Sequence, residues 1–196
     1  MIKDQTINVA DLEPYQTYQQ CTLVLPSLPS HVSDVHLNRC QFVGDLDHSE
    51  WLDCHFQDCD FANRTWTHSV LYRCTFTRCN LLGTAFLENR WQDVTVTESR
   101  GDYLNLSGSQ LTRCRLAATT LKESYLRACR VTPPLVLDRC DLNLASFGET
   151  RLKGVDLTTS TFDQLEVDAT PWSLAGLVIN PVQAAPILGL FGVKIK

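Results

Sequence analysis

The stretch that decides the fold is WLDCHFQDCDFANRTWTHSVLYRCTFTRCNLLGTAFLENRWQDVTV, residues 51–96, in which every fifth residue is large and apolar. We call these residues the centres. A helix repeats its buried face every 3.6 residues and a strand every second residue, so a period of five fits neither. It fits a chain that bends once per pentad, with four pentads forming one square coil of about 20 residues. The sequence therefore predicts an all-β solenoid with four short faces per coil.

The period extends well beyond this stretch. The centres run as Leu46, Trp51, Phe56, Phe61, Trp66, Leu71, Phe76, Leu81, Phe86, Trp91, Val96, Leu106, Leu111, Leu116, Leu121, Leu126 and Val131, and, after one extra residue near Pro133 and Pro134, as Leu137, Leu142, Phe147, Leu152, Leu157, Phe162 and Val167. Upstream, Val32, Leu37 and Phe42 continue the series across a one-residue deletion, and Leu23 and Leu28 are candidates for a degenerate extension. We expect an N-terminal cap or degenerate coil in residues 1–30, the repeat β-helix in residues 31–168, and a C-terminal cap and dimerisation segment in residues 169–196.

One centre is missing from the series, because Gly101 stands between the stacked residues Leu81 and Leu121. A glycine leaves a column of side chains without a member. We expect a local irregularity there, with Tyr103 or Leu104 filling the space.

The cysteines follow the same frame. Eight of the nine lie two residues before a centre, and the ninth, Cys21, does so if Leu23 is a centre; the eight are Cys40, Cys54, Cys59, Cys74, Cys79, Cys114, Cys129 and Cys140. Most other residues at this position are small, so it also points inward, where cysteine acts as a small hydrophobic residue. The odd count and the lack of CxxC spacing argue against a disulfide framework and against a zinc site. We expect reduced thiols in a cytoplasmic protein, and neither metal nor cofactor.

Residues 20 apart should stack on successive coils, about 4.8 Å apart. Two positions after the centres, one column reads Asp53, Arg73, Asp93, Arg113 and its neighbour reads Asp58, Arg78, Glu98. Opposite charges favour neighbouring places on a stacked surface, and the alternation supports a coil of 20 residues rather than 15 or 25.

Three pentads carry a family resemblance: CDFAN at residues 59–63, CNLLG at 79–83 and CDLNL at 140–144. They resemble the pattern A(D/N)LXX of the pentapeptide-repeat family, and the resemblance covers roughly residues 30–168. It implies a right-handed quadrilateral β-helix with a short C-terminal helical cap.

The tail, LAGLVINPVQAAPILGLFGVKI at residues 174–195, is similar to the C-terminal segment of the bacterial quinolone-resistance (Qnr-type) and mycobacterial fluoroquinolone-resistance pentapeptide proteins. Asn180 suits a helix N-cap with Pro181 at the first helical position, and Pro186 should kink or end the helix. Its apolar residues, Ile187, Leu188, Leu190, Phe191 and Val193, exceed what a small cap needs. They can form a lid over the last coil, a dimer interface, or both.

No catalytic motif occurs: the sequence has no GxSxG, HExxH or Gly-rich phosphate loop. His55 and His68 lie at outward positions, where solvated side chains are expected. The net charge of −5 argues against direct nucleic-acid binding. No apolar stretch is long enough to cross a membrane, and residues 1–10 do not resemble a signal peptide. Because no catalytic motif occurs, we predict that the protein is not an enzyme.

Charge is unevenly distributed along the chain. Residues 40–63 hold six acidic residues and no lysine or arginine; the six are Asp45, Asp47, Glu50, Asp53, Asp58 and Asp60. Residues 71–130 hold nine basic and five acidic residues, and residues 138–168 hold seven acidic and three basic ones. The rod is thus predicted to be acidic toward its ends and mildly basic in its middle.

The resemblance to Qnr-type proteins implies a DNA-mimicking protein that binds a type II topoisomerase, DNA gyrase or topoisomerase IV, and protects it from fluoroquinolones. A rigid rod bearing carboxylates can occupy a basic DNA-binding surface without being cut. The six carboxylates of residues 40–63 are the candidate contacts, and the tail is the candidate homodimer interface. The alternative is a generic protein-interaction scaffold or a structural rod.

Overall fold

The computed structural model describes residues 1–26, 29–168 and 170–194. Leu28, a candidate centre, and Ile195, the last residue of the quoted tail, lie outside the described residues. The chain is a parallel-strand β-solenoid of about eight turns with a short C-terminal helix, as predicted. None of the helices in the described ranges is long and apolar enough to span a membrane.

Two adjacent faces of the rod form one twelve-stranded parallel sheet. Its first face consists of β5 (His31–Ser33), β8 (Glu50–Leu52), β10 (Val70–Tyr72), β12 (Arg90–Gln92) and the first halves of β14 (Gln110–Ala117) and β15 (Arg130–Asp138). Its second face consists of β1 (Ile2–Lys3), β3 (Thr17–Gln19), β6 (His36–Asn38), β9 (His55–Gln57), β11 (Thr75–Thr77), β13 (Thr95–Thr97) and the second halves of β14 and β15. The two long strands turn the corner and join the faces.

The third and fourth faces are held by shorter pairings. The third begins with the sheet of β2 (Thr6–Asn8), β4 (Thr22–Val24) and β7 (Gln41–Val43), and the fourth ends with β16 (Ala145–Ser146) and β17 (Leu165–Glu166). Between them, single parallel bridges such as Asp60–Asn80 and Thr65–Ala85 join successive coils.

The register confirms the 20-residue coil. Trp51, Leu71, Trp91 and Leu111 are consecutive partners on the first face. The two frame shifts are also where the sequence places them. Val32 pairs with Trp51, 19 residues on, and the register between β14 and β15 shifts after Thr112.

The residue two after a centre turns the corner of the coil, and we call it the corner position. Residues at this position have φ near +50° to +60° even where they are not glycine, as at Asp53, Arg73 and Asp93. Pro133 falls at this position, and a proline ring fixes φ near −65°. The corner after Val131 therefore has to be built differently, which explains the extra residue.

The core is one continuous cluster of inward side chains. Aromatic rings fill several coils; Phe56 and Phe76, for example, stack at 4.6 Å between ring centroids. Burying each such side chain contributes roughly 1.5–3 kcal/mol. All nine cysteines are buried and unbridged, so the inward assignment is confirmed. Two centres depart from the prediction, because Val131 and Val167 are only partly buried.

At Gly101 the solenoid remains regular, so the expected irregularity is wrong. Arg100 bridges both Asn80 and Thr120, and a Cβ on Gly101 would lie 3.0 Å from the Leu121 side chain. Of the two proposed fillers, Leu104 is fully buried. Tyr103, at a corner position, is exposed instead.

Residues 1–26 form further coils, in which fewer residues separate one strand from its partner on the next coil. Ile2 pairs with Tyr18 and Ile7 with Leu23, each 16 residues apart. A 3-10 helix at Val9–Asp11 lies between these strands. Tyr18 is buried like a centre and stands five residues before Leu23, so the five-residue frame extends back to it.

The C-terminal segment folds over the last coil. It contains α1 (Pro171–Leu174), a bridge from Val178 to Asp156, a 3-10 helix at Pro181–Gln183 and α2 (Ala184–Gly189). The Asn180 side chain caps the 3-10 helix and Pro181 is its first residue, as predicted.

The helix does not end at Pro186, since α2 continues to Gly189, but the helical segment is interrupted before that residue. The change from 3-10 to α geometry falls before Ala184, so Pro186 lies in the first turn. There its missing N–H would have had no helical partner. Gln183 joins the C-terminal segment to the last coil, because its Nε2 donates to the carbonyls of Leu157 and Ser160 at 2.7 Å each.

Candidate protein-binding surface

The six candidate carboxylates lie within a single turn of the solenoid, which we call the acidic coil. Asp45 and Asp47 flank Leu46 on the fourth face, Glu50 lies on the first face, and Asp60 lies on the third. Asp53 and Asp58 occupy corner positions, with φ of 54° and 53°. Because the chain bends at each pentad, these carboxylates encircle the rod and do not form one patch.

Two of the six are neutralised by the next coil. Arg73 donates to both carboxylate oxygens of Asp53 at 2.6 and 2.5 Å, and Arg78 does the same to Asp58 at 2.8 and 3.2 Å. These charged hydrogen bonds lower the pKa of Asp53 and of Asp58. The predicted alternation is therefore confirmed as ion pairs for Asp53 with Arg73, Asp58 with Arg78 and Asp93 with Arg113, whereas Glu98 makes no ion pair within the described residues.

The other four carboxylates make no ion pair with lysine or arginine among the described residues. Asp45 Oδ1 accepts from the Asp47 N–H at 2.9 Å, and Asp60 Oδ1 accepts from the backbone at 3.0 Å. Asp47 Oδ1 accepts from the backbone of the next coil at 2.5 Å. Glu50 Oε2 lies 3.2 Å from His31 Nδ1. The free negative charge of the acidic coil thus lies on the third, fourth and first faces.

Histidines beside the acidic coil stack in a way that the sequence frame did not suggest. The rings of His36 and His55 lie 4.4 Å apart and those of His48 and His68 lie 5.1 Å apart. His68 is exposed as expected, whereas His55 is only half-exposed and burial lowers its pKa. Across the described residues, no group of three or more histidine, cysteine or acidic side chains is placed to hold a metal ion.

The five apolar residues singled out in the tail divide into two sets. Ile187 is buried and Leu190 packs against the core, so both serve the cap. Leu188, Phe191 and Val193 are 40%, 45% and 47% exposed. Two residues that the sequence did not single out are exposed further, Trp172 at 80% and Val182 at 85%.

Comparison with known proteins agrees with this geometry. Residues 49–126 match the family described as "Pentapeptide repeat region". This match covers about two fifths of the chain, and that part of the chain is similar to the pentapeptide-repeat family.

Two known proteins are similar to this chain, one in sequence and one in fold. The pentapeptide repeat protein MfpA of Mycobacterium tuberculosis (strain ATCC 25618 / H37Rv) is 31% identical over 109 residues. That match covers 56% of this chain and 56% of MfpA, so the chain aligns with about half the length of this curated relative. A trypsin-treated form of QnrB1, a plasmid-mediated fluoroquinolone resistance protein, superposes with a TM-score of 0.54 at 14% identity, covering 100% of this chain and 98% of that one. It shares the fold.

Proposed function

We propose that this protein is a non-enzymatic rod that binds a type II topoisomerase, DNA gyrase or topoisomerase IV, in place of DNA and so protects it from fluoroquinolones. The observation that carries the proposal is the acidic coil, where Asp45, Asp47, Glu50 and Asp60 pair with no lysine or arginine in the part of the chain that the structure describes. The likeness to MfpA and to the fold of QnrB1 supports the choice of partner.

The physical basis is charge on a rigid support. DNA-binding surfaces are basic and attract closely spaced negative charges. Carboxylates fixed on stacked coils lose little conformational freedom when a partner binds, so less of the binding free energy is lost to ordering. A convex rod of this kind presents faces to another protein and needs no enclosed substrate cavity.

The test is a gyrase supercoiling assay with the purified protein, with and without a fluoroquinolone. We expect the protein to inhibit supercoiling and to reduce drug-stabilised DNA cleavage. The triple variant Asp45→Asn, Asp47→Asn, Asp60→Asn should weaken both effects. Each asparagine keeps a side-chain Oδ1 that can accept the same hydrogen bond from a backbone N–H. A matched variant, Asp4→Asn, Asp163→Asn, Glu166→Gln, removes the same charge elsewhere and should act as wild type. An inactive wild type would refute the proposal.

We further propose that two copies associate through the C-terminal segment, residues 169–196. Leu188, Phe191 and Val193 are exposed at the end of the rod, where a second copy would bury them. A two-fold contact there would place the acidic coils of both protomers at the distal parts of a longer rod.

Light scattering on wild type should give a dimeric mass, and Leu188→Asp with Phe191→Asp should give a folded monomer. These two positions are exposed, so the variant does not disturb the buried Ile187. A monomeric wild type would disprove the interface.

A second candidate is a generic protein-interaction scaffold. It is favoured by the pairing of Asp53 and Asp58 with arginines, which leaves a surface of mixed charge rather than an uninterrupted row of carboxylates. Inhibition of gyrase that is unaffected by the acidic-coil variant would favour it.

A further inference from the structure

The basic residues in the middle of the rod fall into two groups. Most of them pair with carboxylates, and the pairs include Arg113 with Asp93, Arg115 with Asp138 and Lys122 with Asp141. Four exposed arginines from Arg90 onward make no such ion pair within the described chain, and they are Arg90, Arg127, Arg130 and Arg151; Arg39, on an earlier coil, is also exposed and without an ion pair there.

These four arginines lie along one edge of the rod, where the fourth face meets the first. Arg90, Gln110 and Arg130 are register partners on β12, β14 and β15, and Arg151 follows one coil later. Three coil steps of about 4.8 Å place Arg90 and Arg151 roughly 14 Å apart along the rod. Arg127 flanks them from the fourth face, with its guanidinium over the Gly148 backbone.

The surface of this edge is depressed beside these arginines, because small residues stand at its corner position. Earlier coils carry His48, His68 and Glu88 at this corner position, but the next two coils carry Gly108 and Ala128. Without large side chains there, two neighbouring clefts meet at Gly108 and Gln110. We call this feature the arginine groove.

One end of the groove is widened by a gap across the first face, which begins at the Pro133 corner on the far side of that face. In earlier coils the corner residue donates its N–H to the next coil, as Asp93 does to the Thr112 carbonyl at 2.9 Å. Pro133 has no N–H to donate. In the described chain no backbone hydrogen bond joins residues 129–133 to residues 151–154, and Val131 is left partly exposed. The gap forms a cleft between Arg130 and Arg151.

We infer that the arginine groove binds a short acidic peptide segment of a protein partner. Unpaired guanidinium groups recognise carboxylates through paired hydrogen bonds. About four extended residues span 14 Å at 3.4 Å each, so a short run of glutamate or aspartate matches the groove.

The surroundings of the groove disfavour a long polyanion. Glu88 lies at one end, near His68, and Glu149 lies at the other. Beyond the groove lie the acidic coil on one side and, on the other, residues 152–168, which hold four acidic residues and one lysine. A nucleic acid strand laid along the rod would run past the arginines into these carboxylates, whereas a short peptide that spans Arg90 to Arg151 does not extend that far. This surface lies apart from the acidic coil, so it can engage a partner whether or not the acidic coil does.

The test is fluorescence anisotropy with a labelled glutamate-rich hexapeptide, alongside single-stranded and duplex DNA oligonucleotides. We expect the peptide to bind with an affinity that falls as salt screens the charges, and to bind more tightly than either DNA. The variant Arg90→Gln, Arg130→Gln, Arg151→Gln should bind about tenfold more weakly, from three lost ion pairs. The matched variant Lys3→Gln, Arg39→Gln, Lys194→Gln has the same net charge and should bind as wild type.

Ala128→Glu provides an independent variant. It adds a carboxylate inside the arginine groove at a corner position. Glu88 and Glu123, at other corner positions, show that glutamate is accommodated with φ near +50°. It should also weaken peptide binding. The inference is overturned if the wild type does not bind the peptide, if the groove and matched variants bind equally, or if DNA binds more tightly.

Discussion

Two buried tryptophans at equivalent positions differ in their hydrogen bonding. Trp51 Nε1 donates to Ser49 Oγ at 2.9 Å, whereas Trp91 Nε1 is buried with no acceptor among the described residues. The cause is the residue two positions before the centre. Asn89 stands there in place of a serine, and its Oδ1 already accepts from the Ser69 N–H at 2.8 Å. Replacing each tryptophan by phenylalanine should therefore have unequal effects on stability.

The expected magnitudes follow from the atoms removed. Trp→Phe deletes roughly three buried heavy atoms, which costs about 2 kcal/mol at about 0.8 kcal/mol each. At position 51 the loss of the hydrogen bond adds about 1 kcal/mol, for a total near 3 kcal/mol. At position 91 the change removes an unsatisfied buried donor, whose burial costs about 1–3 kcal/mol. Trp91→Phe should therefore be close to neutral, about 2–4 kcal/mol more stable than Trp51→Phe.

Equilibrium urea unfolding followed by far-UV circular dichroism measures this difference without using tryptophan fluorescence. The denaturant slope should be the same in both variants, so that the midpoints report stability. Equal destabilisation, or a greater loss in Trp91→Phe, would refute the hydrogen-bond reasoning.

Three further predictions concern the columns and the thiols. Arg73→Glu should lower the melting temperature at low salt and less at high salt, because it places three negative charges in one column; no loss at low salt, with Lys3→Glu as the control, would contradict the stacking. Since Arg73 lowers the pKa of Asp53 in the folded state, the stability from this pair is present above the unfolded pKa of about 3.9 and is lost as pH falls through the folded value. Acid titration of melting temperature should show a smaller loss in Arg73→Gln, and an unchanged loss would count against it. Burial raises the pKa of Cys40, Cys114 and Cys140 to about 11, so a thiol reagent at neutral pH should label the native protein slowly and the unfolded protein fully, whereas rapid native labelling would disprove burial.

Features that depend on regular stacking could be predicted from the sequence. The pairing of Trp51 with Leu71, the inward cysteines and the ion pair of Arg73 with Asp53 all follow once the coil length is known. The N-terminal turn could not be predicted in this way, because Ile2 and Tyr18 meet across a 16-residue return that the period does not contain.

The sequence by itself determined the solenoid, its four faces and its two frame shifts, since a five-residue period of large apolar side chains can be buried only by a chain that bends at every pentad. The tertiary structure decided how the charges are distributed around it. It leaves Arg90 and Arg130 without carboxylates and opens a gap across the first face between Arg130 and Arg151. The reason is that a charge is neutralised by its neighbour on the next coil or across a corner, and whether that neighbour comes within reach depends on three-dimensional geometry that the repeat does not encode.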